Sequence, residues 1–160
     1  WFKVHIPLAY YAAYYSIRAK AFDAQYMIFG KEKVKNKMKE IEMKNQKKEA
    51  TKAELDMYDD LEIVLEMYER GFEFLPVDIY ESEASKFKIQ DNKLRPPLNS
   101  IPGFGTVAAQ GIVNARKDGK FMSIDDLKIR AKIGASGAEL LKQFGCLEGM
   151  SQSNQLSLFG

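Results

Sequence analysis

The sequence predicts a mainly α-helical chain with one small β-hairpin, and three observations predict it. Apolar residues recur at spacings of three and four through positions 51–71, and the period drops to two between 72 and 95. Two glycine-marked turns, at 103–105 and 134, each then lead into a fresh helical pattern. Composition agrees. Of 160 residues, 46% are hydrophobic and 29% charged, with eleven Gly and five Pro, a globular balance that excludes a collagen-like, disordered or disulfide-built chain.

Pro7 falls where a helix begins, because its missing N–H would be unpaired there. The helix over 8–17 aligns Tyr10 with Tyr14 and Tyr11 with Tyr15. Such a stripe commonly forms a core face with wet hydroxyl tips, and more rarely a platform for stacked bases. Positions 31–44 set Val34, Met38 and Ile41 at helical spacing among lysines, which reads as a surface helix with a narrow apolar seam. After a polar break at 45–50, Thr51 and Glu54 have the form of a capping box, each satisfying the other's exposed backbone donor. The helix that follows is expected to bury Leu55, Tyr58, Leu61, Leu65 and Tyr68, to turn Asp59, Asp60, Glu62 and Glu66 outward, and to end at Gly71.

Phe72-Glu73-Phe74-Leu75 alternates and reads as a short strand stopped by Pro76. Phe87 and Ile89 stand opposite Leu94 across Asp91-Asn92, a pair tolerant of positive φ, so a hairpin is predicted, ended by Pro96-Pro97.

The formal net charge of +2 conceals a pattern: +5 over 31–52, −9 over 53–91 and +5 over 92–133. An acidic block between two basic ones suits a chain that offers one face to a polyanion and another to solvent; two solvated helix faces are the plainer reading.

The second basic block holds the turns. In Ile101-Pro102-Gly103-Phe104-Gly105-Thr106, two glycines bracket one apolar residue at the start of a helix expected to bury Val107, Ala108, Ile112 and Val113 and to close at Gly119. Such a helix start aims unpaired N–H groups and the positive end of the helix dipole outward, which suits a phosphate. Phe104 anchors the turn in the core. The second copy runs from Ser123 through a short helix to Lys132-Ile133-Gly134-Ala135-Ser136, with Ser136 and Glu139 read as a capping box. Arg116, Lys117, Lys120, Arg130 and Lys132 flank the two copies. One Gly-x-Gly turn is an ordinary tight turn. Two in tandem fit a binder of the DNA backbone, with Gly103, Phe104, Gly105, Thr106, Val107, Arg116, Lys117, Lys132, Gly134, Ala135 and Ser136 as the candidate contact set.

The tandem turns resemble a helix-hairpin-helix module, which implies sequence-independent grip on duplex DNA across the minor groove. The resemblance extends further. Trp1-Phe2-Lys3-Val4-His5-Ile6-Pro7-Leu8-Ala9-Tyr10-Tyr11, then Gly71-Phe72-Glu73-Phe74-Leu75-Pro76-Val77-Asp78-Ile79-Tyr80, then Asn99-Ser100-Ile101-Pro102-Gly103-Phe104-Gly105, then Gly145-Cys146-Leu147-Glu148 follow in order the C-terminal part of the bacterial C-family replicative DNA polymerases, the alpha subunit of DNA polymerase III, closest to the PolC type. This implies fingers over 1–75, a tandem helix-hairpin-helix duplex-binding domain over 76–147 and a flexible tail over 148–160. Trp1 in place of Met fits a piece of such a protein.

At the end of the chain, Gln155, Leu156, Ser157, Leu158 and Phe159 resemble the pentapeptide by which bacterial replication proteins bind the sliding clamp. Met150-Ser151-Gln152-Ser153-Asn154 before it is small and polar, with little to pack. The implied partners are primer-template duplex DNA, the beta clamp and the remainder of a polymerase. The resemblance places the palm carboxylates and their Mg2+ ions upstream of Trp1, so no catalytic, cofactor or metal residue is assigned here. His5 reads as structural and Cys146, with no second Cys, as a small buried group. No stretch approaches the roughly 18 uncharged apolar residues of a membrane span, and the Lys-interrupted start lacks the charged-then-apolar layout of a signal peptide, so a soluble cytoplasmic protein without membrane contact is expected. A stand-alone DNA-binding adaptor with tandem hairpins is the alternative reading.

Overall fold

A computed structural model describes residues 1–19 and 21–153. The first helices are α1 (Phe2–His5) and α2 (Pro7–Ile17), with Pro7 at the first helical position as its chemistry demands. Along α2, Tyr11 and Tyr15 are buried, whereas Tyr10 and Tyr14 are only half-buried, so one of the two aligned pairs makes the core face. The hydroxyls stay satisfied: Tyr11 donates to Glu66 at 2.7 Å, accepts from Arg70 at 3.0 Å, and is pushed up to about 12, chiefly by burial.

After α3 (Ala24–Met27), the chain forms an antiparallel helical hairpin from α4 (Lys31–Gln46) and α5 (Lys52–Glu69). Its sense follows from the pairs that cross it, Lys44 with Glu54 at one end and Lys35 with Glu69 at the other. Thr51 and Glu54 form the expected capping box, with both reciprocal bonds present. The buried face of α5 is rotated from the expected one. It consists of Asp60, Leu61, Val64 and Met67, while Leu55 is exposed. This helix has more apolar positions than one face holds, and its neighbours decide. Val34 and Ile41 of α4 lie in the same core cluster as Tyr15 of α2, whose hydroxyl reaches the Met67 sulfur at 3.5 Å.

Two acids expected outside are therefore drawn in, one of them only partly. Glu66 is half-buried between Lys3 and Tyr11. Asp60 is 3% exposed and accepts from the backbone N–H of Ala21 at 2.7 Å, pinning the α2–α3 connection to α5. A solvated acid would be replaceable within about 0.5 kcal/mol. Asp60→Ala is expected instead to cost about 1–3 kcal/mol by orphaning that N–H, measured by urea titration.

The strands β1 (Lys88–Gln90) and β2 (Lys93–Arg95) pair antiparallel around Asp91 and Asn92, whose φ of 53° and 58° give the left-handed turn that matches strand twist. The segment 72–75 contributes a single bridge, Phe74 to Leu94, in place of the expected strand. Phe74 joins Tyr15, Phe22 and Phe87 in an aromatic cluster with centroids 4.8–6.3 Å apart. That cluster ties the first helices to the hairpin, and one hydrophobic cluster runs from Leu8 to Leu147.

The last third contains α6 (Thr106–Ala115), α7 (Ile124–Ala131) and α8 (Ala135–Gln143). A 3-10 turn at Arg116–Asp118 follows α6 and ends at Gly119, with φ of 110°. Ser136 is not a cap: α8 starts one residue before it, and Gly134 occupies the N-cap. The start of the tail is also held. The carbonyls of Ser151 and Gln152 accept from the N–H groups of Ile124 and Asp125 at 2.9 and 3.0 Å, so the polar stretch packs through its backbone where its side chains offered little. Among the described residues, no helix is long and apolar enough to cross a membrane.

Candidate nucleic-acid interface

The two turns adopt one backbone design. In the first, Gly103 has φ of 80°, Phe104 is buried, and Gly105 is the extended N-cap of α6 with φ of −75° and ψ of 162°. In the second, Lys132 has φ of 57°, Ile133 is buried, and Gly134 is the extended N-cap of α8 with φ of −81° and ψ of 177°. Exposure repeats as well. Gly105, Thr106 and Val107 are exposed, as are Gly134, Ala135 and Ser136, before both helices turn inward at Ala109 and Ala138. Lys132 thus fills the left-handed position that Gly103 fills in the first copy, a substitution with no compositional flag. What the copies share in sequence is an apolar residue, Gly, three residues and Ala.

Phe104, 3% exposed, works from beneath. Its ring lies 3.5 Å from the point where a Cβ on Gly137 would stand, so it braces the first turn against α8. Gly111, in the middle of α6, sets a second spacing: a Cβ there would stand 2.3 Å from the carbonyl oxygen of Ala131 at the end of α7. Helix α6 rests on α7 backbone to backbone at this point.

The three helix starts differ in what they offer. At α7, Ser123 accepts from the N–H of Asp126 at 3.0 Å, and the chain at 151–152 takes the donors of Ile124 and Asp125. At α6 and α8 no side chain caps the helix, and the first internal bonds are Ala109 to Gly105 and Ala138 to Gly134, at 3.0 and 3.1 Å. The earlier N–H groups have no partner within their helices and sit at the positive end of each dipole, on exposed backbone. An anion therefore finds matched donor sets at 105–108 and 134–137, and none at α7.

The flanking cations divide. Lys117 and Lys132 are exposed, with no acidic partner among the described residues. Arg116 is committed to the fold, donating to the carbonyls of Ile79 and Ser82 at 3.1 and 2.6 Å. Arg130 likewise donates to the carbonyls of Ala115, Gly119 and Lys120 and pairs with Asp126, closing the α6–α7 loop. Val107, expected in the core, is 90% exposed. The inward face of α6 is Ala109, Ile112 and Ala115, and Val107 in the first turn points away from it, an apolar group beside the free donors.

His5 stacks on Trp1 with ring centroids 4.6 Å apart. The Cys146 thiol donates to the carbonyl of Val77 at 3.4 Å, and burial pushes it up to about 12, far from a reactive thiolate. Among the described residues, no three His, Cys, Asp or Glu side chains gather to hold a metal ion. Gln155, Leu156, Ser157, Leu158 and Phe159 lie outside the described residues.

Comparison with known proteins adds two findings. The family model described as the helix-hairpin-helix motif matches residues 71–156, which contain both turns. The whole chain aligns with proteins called DNA polymerase III PolC-type: 46% identical over 160 residues in Clostridium perfringens, 46% over 159 in Caldanaerobacter subterraneus and 45% over 159 in Streptococcus pneumoniae. These alignments take in 99–100% of this chain and 11% of each relative, so the chain spans about a tenth of their length.

Proposed function

Because this chain belongs to the helix-hairpin-helix family and corresponds along its whole length to part of PolC-type DNA polymerase III, we propose that it is the portion of a replicative DNA polymerase that holds duplex DNA. The turns at 103–107 and 132–136 bind phosphates of one duplex through backbone donors, and Lys117 and Lys132 add charge. The observation that carries this reading is the repeated turn with its open helix start, present at α6 and α8 and closed at α7.

Backbone contacts position a protein on DNA without reporting base identity. Binding is expected to be indifferent to sequence and to weaken steeply as salt rises, with each of Lys117→Ala and Lys132→Ala lowering the slope of log K against log salt by about one. Fluorescence anisotropy across a salt series measures this. A flat salt response or preference for one duplex sequence overturns the phosphate grip.

We further propose that Gln155, Leu156, Ser157, Leu158 and Phe159 tether the polymerase to the beta sliding clamp, the Gln making polar contacts while Leu and Phe fill an apolar pocket. Deleting these five residues is expected to abolish capture by immobilised clamp, and undiminished capture sinks the tether. Nucleotidyl transfer, with the Mg2+ ions it uses, is assigned to the remainder of the polymerase in the bacterial cytoplasm.

A further inference from the structure

Where the α3–α4 junction meets the end of α8, a groove of about 520 Å3 opens, within the size range of ligand sites. Its aromatic walls are Phe29 and Phe144, with centroids 6.1 Å apart and planes inclined by 40°. Phe29 is 52% exposed, although its neighbours Met27 and Ile28 are buried, so the ring is presented to solvent from a fixed base. The remaining polar wall is Gln25, Gln143 and Lys33, the last with its ammonium 5.1 Å from the Phe29 ring. Neither Gln amide bonds to another described side chain or backbone group, and the lining carries a cation and no carboxylate.

The groove adjoins the first turn. Pro102, immediately before Gly103, forms part of its wall, and so does Leu140, whose Cδ1 lies 3.4 Å from the point where a Cβ on Gly103 would stand. The wall of the groove thus runs into the loop that carries the open donors at 105–108. The surroundings suit an unpaired base: aromatic faces for stacking, amides for the base edge, and an ammonium for the adjoining phosphate.

Building on the duplex grip above, we propose that this groove takes an unpaired nucleobase from a single-stranded extension of the bound DNA, stacked on Phe29. The occupant is nucleic acid rather than an apolar peptide because the lining is cationic and continuous with the phosphate-binding turn. The site thereby selects a junction between duplex and single strand over plain duplex.

The test uses the full chain and three labelled probes: a blunt duplex, the same duplex with a four-nucleotide single-stranded thymidine extension, and oligo(dT) alone. The extension is expected to tighten wild-type binding about tenfold, the scale of one stacked base. Phe29→Ala should erase that gain and weaken oligo(dT) binding, while leaving blunt-duplex affinity within twofold. Phe29→Trp should restore both, which a merely structural role would not predict. A gain that survives Phe29→Ala, or no gain in the wild type, overturns the groove. Failure of the blunt duplex to bind overturns the hairpin grip instead, and the dependence of oligo(dT) binding on Phe29 then decides the groove by itself.

Discussion

Replacing Gly111 with alanine lowers the stability of the protein by about 3 kcal/mol, against the sign that helix propensity alone would give. In an isolated helix the change is worth up to about 1 kcal/mol in favour of alanine. Here the new Cβ would stand 2.3 Å from the Ala131 carbonyl oxygen. Backbone on the last turn of α7 does not swing aside as a side-chain tip would, so α6 and α7 must separate. Ile112 of α6 and Leu127 of α7, both fully buried, then lose packing. For a chain of this size, a loss of that order corresponds to a melting temperature lower by about 6–12 °C, read by thermal denaturation. A melting temperature equal to or above that of the parent would mean that the helices are not in backbone contact.

Gly105 and Gly134 give the opposite result. Neither has a positive φ, and a Cβ at either position meets nothing within 4 Å, so the fold itself makes no demand for glycine there. What a side chain would obstruct is the approach of an anion to the free N–H groups behind it. Gly105→Leu is expected to leave the melting temperature unchanged within about 2 °C and to weaken duplex binding at least tenfold, or about 1.4 kcal/mol. The double replacement, Gly105→Leu with Gly134→Leu, should bring binding down to what diffuse charge alone supplies. Duplex affinity that survives the double replacement would place the contact elsewhere. Together the two experiments separate a glycine that serves the interior from a pair that serves the exterior.

Local chemistry was legible in the sequence. Thr51 with Glu54 specified the start of α5, Asp91-Asn92 specified a two-residue hairpin loop, and Gly119 marked a stop. Each of these signals is complete within a few residues. The face of α5 was not legible, because Leu55, Met57, Ile63, Leu65 and Met67 leave several helical stripes open and α4 and α2 select among them. Asp60 went with that choice. Both turns of the candidate site could be located from their glycines, yet the outward side of Val107 could not, since a valine among alanines reads as interior until the neighbour it would pack on proves absent. Gly111 carried no local signal at all: the close approach it permits belongs to a residue twenty positions away.

The hydrogen bonds that fasten residues 151–152 to the start of α7 also fix the length of a leash. Three peptide units separate Gln152 from Gln155, a span of at most about 11 Å. A ring-shaped partner held at Gln155 would therefore ride against the hairpin unit rather than trail behind it. Traction on that partner would be delivered into the backbone of α7, the helix on which α6 rests. In mechanical terms, under the proposed tether, processive load and phosphate grip would share one anchor point.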